Sequence, residues 1–289
     1  MAVECPSCAS DEIDLVEISK DGRRHLRCVS CGHDWLRGEA QRVYKTPDSI
    51  ASLRGRFPSA DEVSSQIGEQ VAALKQAYLA DHPNGDLRAI GFVEKYQRLF
   101  SREGLAGASP GDLKYFGNAN VAGNPGNMSV FNNAWNELGP QEAASRVKEA
   151  IEYLLYGPDH IYLEDRLTHL IQGRRGLGMI GFREALLTKV LCMVEPDRFL
   201  PINKYTGQAG KREIAKWIYG LDLPAPEAVS WTIGRLIIWS NDLLLDLVGE
   251  GFSSTEHAAG FLWWAKDQAR GRRAELADGG SGVGPKSHS

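Results

Sequence analysis

Apolar residues recur along most of this chain with a helical period, and only the first forty positions break that rule. After a break at Arg56-Phe57-Pro58, Val63, Ile67, Val71, Leu74 and Tyr78 form an apolar stripe. Ser59 and Glu62 stand before it in the spacing of a capping box, which predicts a helix start there. His82-Pro83-Asn84-Gly85 stops that helix, and a second is predicted over 86–102 with Leu87, Ile90, Val93, Tyr96 and Phe100 inward. Ser109-Pro110 opens a short third helix, with proline at the first helical position. Residues 141–156 place Val147, Ile151, Leu154 and Leu155 on one face, and 161–172 do the same with Leu163, Leu167, Leu170 and Ile171. A further helix is predicted over 182–194, and a short basic one over 211–219. A long helix follows over 227–248 and a last one over 255–269, where Trp263 and Trp264 are read as core. Residues 271–289 carry Gly279-Gly280-Ser281-Gly282 and read as a disordered tail. The fold class is therefore mainly α: a small N-terminal β unit over 1–42, a linker over 43–59 and an all-helical domain over 60–270.

The N-terminal unit has a different texture. Cys5-Pro-Ser-Cys8 and Cys28-Val-Ser-Cys31 are two C-x2-C knuckles with 19 residues between them. Each knuckle aims two thiolates at one point, and two knuckles complete a tetrahedral sulfur shell for one structural Zn²⁺. Between them Ile13–Ile18 partly alternates, Asp21-Gly22 is a hairpin-turn signal, and His25-Leu26-Arg27 leads back. Knuckle, strand, turn, strand and knuckle together resemble the small zinc-ribbon domains. His33 is not needed as a ligand, because four cysteines already close such a site. Two roles stay open for the ribbon: a metal clip in place of a core too small to form, or direct recognition of a partner. Lys20, Arg23, Arg24, His25 and Arg27 crowd the hairpin, yet residues 1–42 hold six Lys and Arg against eight Asp and Glu.

At 289 residues, with 43% hydrophobic and 24% charged positions, the chain has the composition of a soluble globular protein. It contains no run of about 18 apolar residues that predicts a membrane span. Its first residues lack the basic and apolar regions of a signal peptide, and its cysteines have metal rather than disulfide spacing, so a reducing cytoplasm is expected. A net charge of −4 gives no global sign of a polyanion partner. Residues 170–220 differ locally, with nine Lys and Arg against four Asp and Glu.

That basic segment contains the stretch with the densest chemistry. Gly173, Gly176, Gly178 and Gly181 interrupt the helical pattern, with Arg174, Arg175 and Arg183 among them and Lys189 following. Glycine at this density marks backbone that turns with positive φ or approaches something closely. A glycine turn feeding a helix N-terminus can present N–H groups to a phosphate. Gly178-Met179-Ile180-Gly181-Phe182-Arg183-Glu184-Ala185, with Phe199-Leu200-Pro201-Ile202-Asn203 after it, resembles the helix-hairpin-helix segment of base-excision DNA glycosylases. That resemblance covers about 30 residues. It implies a hairpin that binds a nucleic-acid backbone. Arg183 stands where a catalytic lysine can sit in that family, and Asn203 where the catalytic aspartate belongs. An amide cannot replace a carboxylate general base, so glycosylase chemistry is not expected. A ribbon joined to such a helical module also resembles uncharacterised bacterial proteins near modification-dependent restriction and phage-defence systems.

Other chemistry is absent or weak in the sequence. There is no His-Glu-x-x-His helix, no Gly-x-Ser-x-Gly elbow, no Gly-x-Gly-x-x-Gly after a strand and no Glu-x-Lys nuclease partner for Pro158-Asp159 or Pro196-Asp197. The Gly- and Asn-rich stretch 116–127 lacks the Gly-Lys-Ser/Thr of a phosphate loop, and its asparagines read as turn formers ahead of base readers. Cys192 falls on an apolar helix face, where a thiol behaves as a small hydrophobe. The expected function is non-catalytic nucleic-acid binding, DNA favoured, through Arg174, Arg175, Gly176, Gly178, Gly181, Arg183, Lys189, Asn203 and Lys204. The alternatives are a protein–protein adaptor docking through the ribbon, and a DNA-processing enzyme whose site the sequence does not reveal.

Overall fold

A computed structural model describes residues 5, 8, 10–18, 24–36, 57–85, 87–121, 123–158, 160–173, 176–226 and 233–279, and side chains at 87, 88 and 272–279 lie outside that description. Most of the expected linker, the Asp21-Gly22 turn and residues 280–289 also lie outside it.

The N-terminal unit is a three-stranded antiparallel sheet in the order β1 (Ile13–Ile18), β2 (Arg24–Cys28), β3 (Asp34–Leu36). Ile13 pairs with Cys28 and Leu15 with Leu26, with a shift in register before Glu17. The third strand was not expected; it forms because Trp35 pairs with Leu26 and joins the small core of cysteines, Leu26 and Trp35. Arg27 and Asp34 face each other across β2 and β3 in a two-pronged pair, with Nε to Oδ1 at 2.7 Å. That fork geometry favours both charges, and Asp34 is held below the usual carboxylate range by its hydrogen bond from Arg27.

The rest is helical. A single 3-10 turn, Ala60–Glu62, uses the Ser59–Glu62 capping box, so that signal caps a separate turn and not the long helix. The helix proper, α1 (Ser65–Asp81), has its own cap: the Ser64 hydroxyl accepts from Ile67 N at 3.4 Å. Next come α2 (Leu87–Leu99), α3 (Arg102–Gly107) and α4 (Pro110–Asn118), the last capped by Ser109 with proline at its first turn. The second helix is rotated from its expected face. Ile90 is 55% exposed, while Ala89, Phe92, Tyr96 and Phe100 are buried. The aromatic set decides the register: Phe100 meets Phe116 edge-on at 4.9 Å, and Tyr96 lies 4.9 Å from the same ring.

An unexpected helix, α5 (Ser129–Leu138), buries Phe131, Ala134 and Trp135 against α6 (Pro140–Tyr156). From α6 the chain turns into α7 (Leu163–Gln172), the glycine segment and α8 (Glu184–Val194). The short α9 (Lys211–Ile214) continues as a π turn over Ala215–Tyr219, closed by Gly220 with φ 71°. Then come α10, described from Ile233 to Val248, and α11 (Thr255–Gly279). The last helix runs ten residues past its expected end at Ala269, so 271–279 are helical and not part of a tail.

One apolar core joins α1 through α11, with α8 near its centre: Leu186, Leu187, Val190, Leu191 and Met193 are all buried. Helix α7 packs on α6 and α10, α2 packs on α8, and α11 lies across α1 and the π turn. Among the described residues no helix is long and apolar enough to cross a membrane.

Candidate functional site

Three places carry chemistry. The first is the cysteine cluster. Cys5, Cys8, Cys28 and Cys31 bring their sulfurs within 4.8 Å of one another. Cys5 Sγ lies 3.6 Å from Cys31 Sγ, and Cys8 Sγ lies 3.3 Å from Cys28 Sγ. A tetrahedron of thiolates at zinc–sulfur bond length has edges of about 3.8 Å, so the four sulfurs fit one metal ion after only a slight spread. Thiols this close contend for protons. Hydrogen bonds from Cys5 and Cys8 hold Cys31 far below the usual thiol range, and the same bonds push Cys5 and Cys8 above it.

The cluster is seated on the helical part through α7. The Cys8 carbonyl accepts from His169 Nε2 at 3.4 Å, and His169 Nδ1 accepts from Tyr153 OH at 2.7 Å. These two bonds fix the imidazole tautomer and explain why His169 is buried without being a ligand. One turn away, Asp165 pairs with Arg235 of α10 at 3.3 Å. Burial pushes the Asp165 carboxyl up to about 8, with Glu164 and Cys31 adding to it. His169 and Asp165 are therefore spent on contacts that hold the cluster and α7 in place.

The second place is the hairpin between α7 and α8. Gly173, Gly176, Gly178 and Gly181 all have positive φ, from 67° to 84°. They do not all serve one purpose. A side chain on Gly173 would strike the Arg183 guanidinium, which donates to the Leu170 carbonyl at the end of α7. A side chain on Gly181 would overlap the backbone of Phe131, so this glycine lets the hairpin press against the start of α5. Gly178 faces Ala150 and Leu170. Gly176 alone among the four is exposed with no described residue within 4 Å of where a β-carbon would stand, and Ile180, four residues on, is 65% exposed.

The basic residues near the hairpin are mostly spent inside the protein. Lys189 is fully buried, and its ammonium donates to the carbonyls of Phe116 and Ala119. It closes the C-terminal end of α4 instead of reaching a phosphate, which corrects its expected role. Lys211 is equally buried, with Nζ 3.4 Å from the Ile237 carbonyl. Burial pulls both ammonium groups down to about 8. Arg183 is likewise committed to Leu170, and Arg212 to the Leu223 carbonyl at 2.8 Å. Arg198 pairs with Glu195, while Lys204 and Lys216 are exposed. Arg174 and Arg175 lie outside the described residues.

The third place was only half visible in the sequence. A cleft of about 520 Å³ lies between the Asn-rich loop, the segment after α8 and the first turns of α11. Its walls include Gly123, Asn124, Pro201, Asn203, Lys204 and Trp263. The segment carrying Asn203 is pinned on both sides by buried polar bonds. Asn241 of α10 accepts from Leu200 N at 3.0 Å and donates to the Arg198 carbonyl at 2.8 Å. On the other side Tyr205 N donates to Glu184 Oε1 at 2.6 Å, and Tyr205 OH to the Pro224 carbonyl at 2.6 Å. Burial raises the Glu184 carboxyl above its usual range, opposed by the bond from Tyr205. The loop opposite is shaped by its asparagines: Asn124 Oδ1 accepts from Gly126 N and Asn127 Oδ1 from Ser129 N, each at 2.8 Å.

Asn203 itself is 5% exposed, and neither amide atom has a hydrogen-bond partner among the described residues. Trp263 is half-buried on the cleft wall, with Lys266 Nζ 4.6 Å from its ring centre. A neighbouring pocket of about 290 Å³ shares Pro201 and Glu256 and reaches Cys192. Burial pushes that thiol up to about 12, which disfavours the thiolate.

No family model, no curated protein and no solved structure matches this chain. The geometry is what remains to assign a function.

Proposed function

We propose that this protein binds nucleic acid without acting on it chemically, with DNA the favoured partner, and that its ribbon holds one structural Zn²⁺. The observation that carries the binding role is the α7–α8 hairpin, two helices joined by four left-handed glycines with Gly176 open to solvent. Backbone N–H groups at such a turn can approach a phosphate oxygen as no side-chain-bearing turn can. Arg174 and Arg175, which fall between Gly173 and Gly176 in the sequence, and the exposed Lys204 and Lys216 supply charge. The buried Lys189 and Lys211 cannot reach a phosphate, so the salt dependence should be that of a few contacts.

Zinc is the metal that four thiolates at these separations suit, since a closed all-sulfur tetrahedron is its common structural site. When bound, the ion would stabilise the small sheet by tying both knuckles together; Cys5, Cys8, Cys28 and Cys31 would hold it. Its seat against His169 suits a structural part more than a freely swinging finger.

The test of the binding role is fluorescence anisotropy with labelled single- and double-stranded oligonucleotides over a salt series. Gly176→Val should weaken binding with little change in salt slope, because it blocks close approach and removes no charge.

A second role is favoured by one observation. Among the described residues strand β1 is one edge of the sheet, and Leu15, Val16 and Ile18 on it are exposed, as is Val29. An edge strand with apolar side chains is a docking surface for another chain, which fits an adaptor that binds through its ribbon. Salt-insensitive capture of a protein partner, lost in Leu15→Lys with Ile18→Lys, would support it.

A further inference from the structure

The start of α11 carries a chemistry that neither the hairpin nor the ribbon uses. Phe252-Ser253-Ser254 leads into this helix, and His257 follows one turn after Ser253. His257 is 3% exposed, and both of its ring nitrogens are engaged. Nε2 lies 2.8 Å from the His82 carbonyl oxygen, which can only accept, so Nε2 carries the proton. Nδ1 lies 3.3 Å from Ser253 N, whose N–H can only donate, so Nδ1 is the acceptor. The Ser253 hydroxyl, with Oγ 3.1 Å from the same Nδ1, therefore donates to it. Two backbone groups thus fix the tautomer in which the imidazole faces this hydroxyl as a base.

A hydroxyl, an imidazole and a third group that orients the imidazole form the arrangement that activates a serine as a nucleophile. The third group here is a carbonyl at the C-terminal end of α1. The negative end of that helix dipole favours the imidazolium that forms as the hydroxyl gives up its proton. Gly85 N donates to Ser253 Oγ at 3.1 Å and holds the oxygen in place. A β-carbon on Gly85 would lie 3.2 Å from that oxygen and 3.3 Å from His257 Cβ, so a glycine lets the loop after α1 close on the pair. The neighbouring Ser254 hydroxyl accepts from His257 N at 3.1 Å as the cap of α11, which brings the positive end of that helix next to Ser253. Ser253 is exposed on the wall of the 290 Å³ cavity that reaches Cys192. Ala89, Val93 and Phe199 line that cavity with apolar surface, and Glu94, Asp197 and Glu256 make its polar part acidic. An apolar acyl group suits the first, and the carboxylates repel an anionic substrate.

We infer that Ser253 and His257 hydrolyse small carboxylic esters that carry a short apolar acyl group and no negative charge. Ser253 Oγ attacks the ester carbonyl carbon while its proton passes to His257 Nδ1, and the oxyanion forms beside the first turn of α11. The carbon–oxygen bond to the alcohol then breaks, and the alcohol leaves with the proton from Nδ1, so that the acyl group remains on Ser253. Water attacks the acyl carbon and gives a proton to Nδ1. The bond to Ser253 breaks, the carboxylic acid leaves, and the proton returns to Oγ. This activity does not rest on nucleic-acid binding, and its site shares no residue with the hairpin.

The experiment treats the full chain with an uncharged fluorophosphonate, which phosphonylates an activated serine and releases fluoride, and maps the adduct by mass spectrometry. One adduct per chain, on Ser253, is expected. A serine that only joins the loop after α1 to the start of α11 gives none, and no adduct, or an adduct elsewhere, overturns the inference. Hydrolysis of p-nitrophenyl acetate should fall by about a hundredfold in Ser253→Ala and in His257→Gln, the loss expected when a nucleophile or its base is removed. Ser145→Ala, at an exposed serine of α6, should change neither the rate nor the adduct. Should His257→Gln not fold, the mapped adduct on the wild type and the rate of Ser253→Ala decide. Ester hydrolysis that Ser253→Ala leaves unchanged overturns the inference, and hydrolysis of p-nitrophenyl phosphate at a comparable rate overturns the substrate class.

Discussion

A β-carbon on Gly123 would lie 2.7 Å from Asn203 Nδ2 and 2.8 Å from the Pro201 carbonyl oxygen. The Asn-rich loop therefore closes over Asn203 because position 123 has no side chain, and its φ of 96° suits only glycine. Gly123→Ala should destabilise the protein by roughly 2 kcal/mol or more, from steric overlap added to backbone strain. Gly176→Ala carries strain alone, because no described residue stands within 4 Å of its added carbon, and should cost about 1 kcal/mol. Urea unfolding of both variants checks the ranking; equal losses would mean that the loop does not close on Asn203.

The cysteine cluster gives a prediction about metal. Purified protein should carry one zinc per chain, and Cys28→Ser should release it. Loss of one thiolate opens the shell and removes the metal's contribution to folding, so the sheet should unfold while the helical part keeps its circular dichroism. Elemental analysis reads the first point and far-ultraviolet spectra the second. Protein that is free of zinc after gentle purification would contradict the metal assignment.

Buried lysines make a prediction in pH. Lys211 is fully buried and its ammonium is pulled down from 10.5 to about 8, chiefly by desolvation. Below pH 8 the folded protein must hold a charge in its interior, so the penalty is fully present there. From pH 8 toward 10.5 the folded state releases the proton while the unfolded chain keeps it, so this lysine destabilises less as pH rises. Lys211→Met should thus stabilise the protein at pH 7 by up to about 3 kcal/mol, with the gain shrinking by pH 9.5. Denaturant titrations of variant and wild type at pH 7 and 9.5 measure it. A gain that grows with pH would contradict the sign.

Local signals carried well from sequence to structure, and distant ones did not. The two knuckles needed only their own spacing, and the helical period marked α6, α7 and the described part of α10 closely. The face of α2 was ambiguous because Ile90 and Val93 compete with Ala89 and Phe92 for the same turn. Phe116, on another helix, settles it by drawing Phe92, Tyr96 and Phe100 inward. Lys189 looked like a phosphate ligand because its partners, the Phe116 and Ala119 carbonyls, stand some 70 positions away. Helix α5 was not expected: Asn132, Asn133 and Asn136 weaken its local helical signal, and what holds it is the burial of Phe131 and Trp135. Asn203 was marked as a site residue, yet its meeting with Gly123 and Trp263 across the cleft had no signal in the chain order.

Nucleic-acid binding itself is tested most directly by the salt dependence of oligonucleotide anisotropy, with Arg174→Ala and Arg175→Ala combined. The wild type should bind at low salt and weaken as salt rises, and the double variant should bind less tightly with a slope flatter by roughly one to two units. Absence of wild-type binding to single or double strands at low salt, or a slope unmoved by the loss of both arginines, would contradict the account.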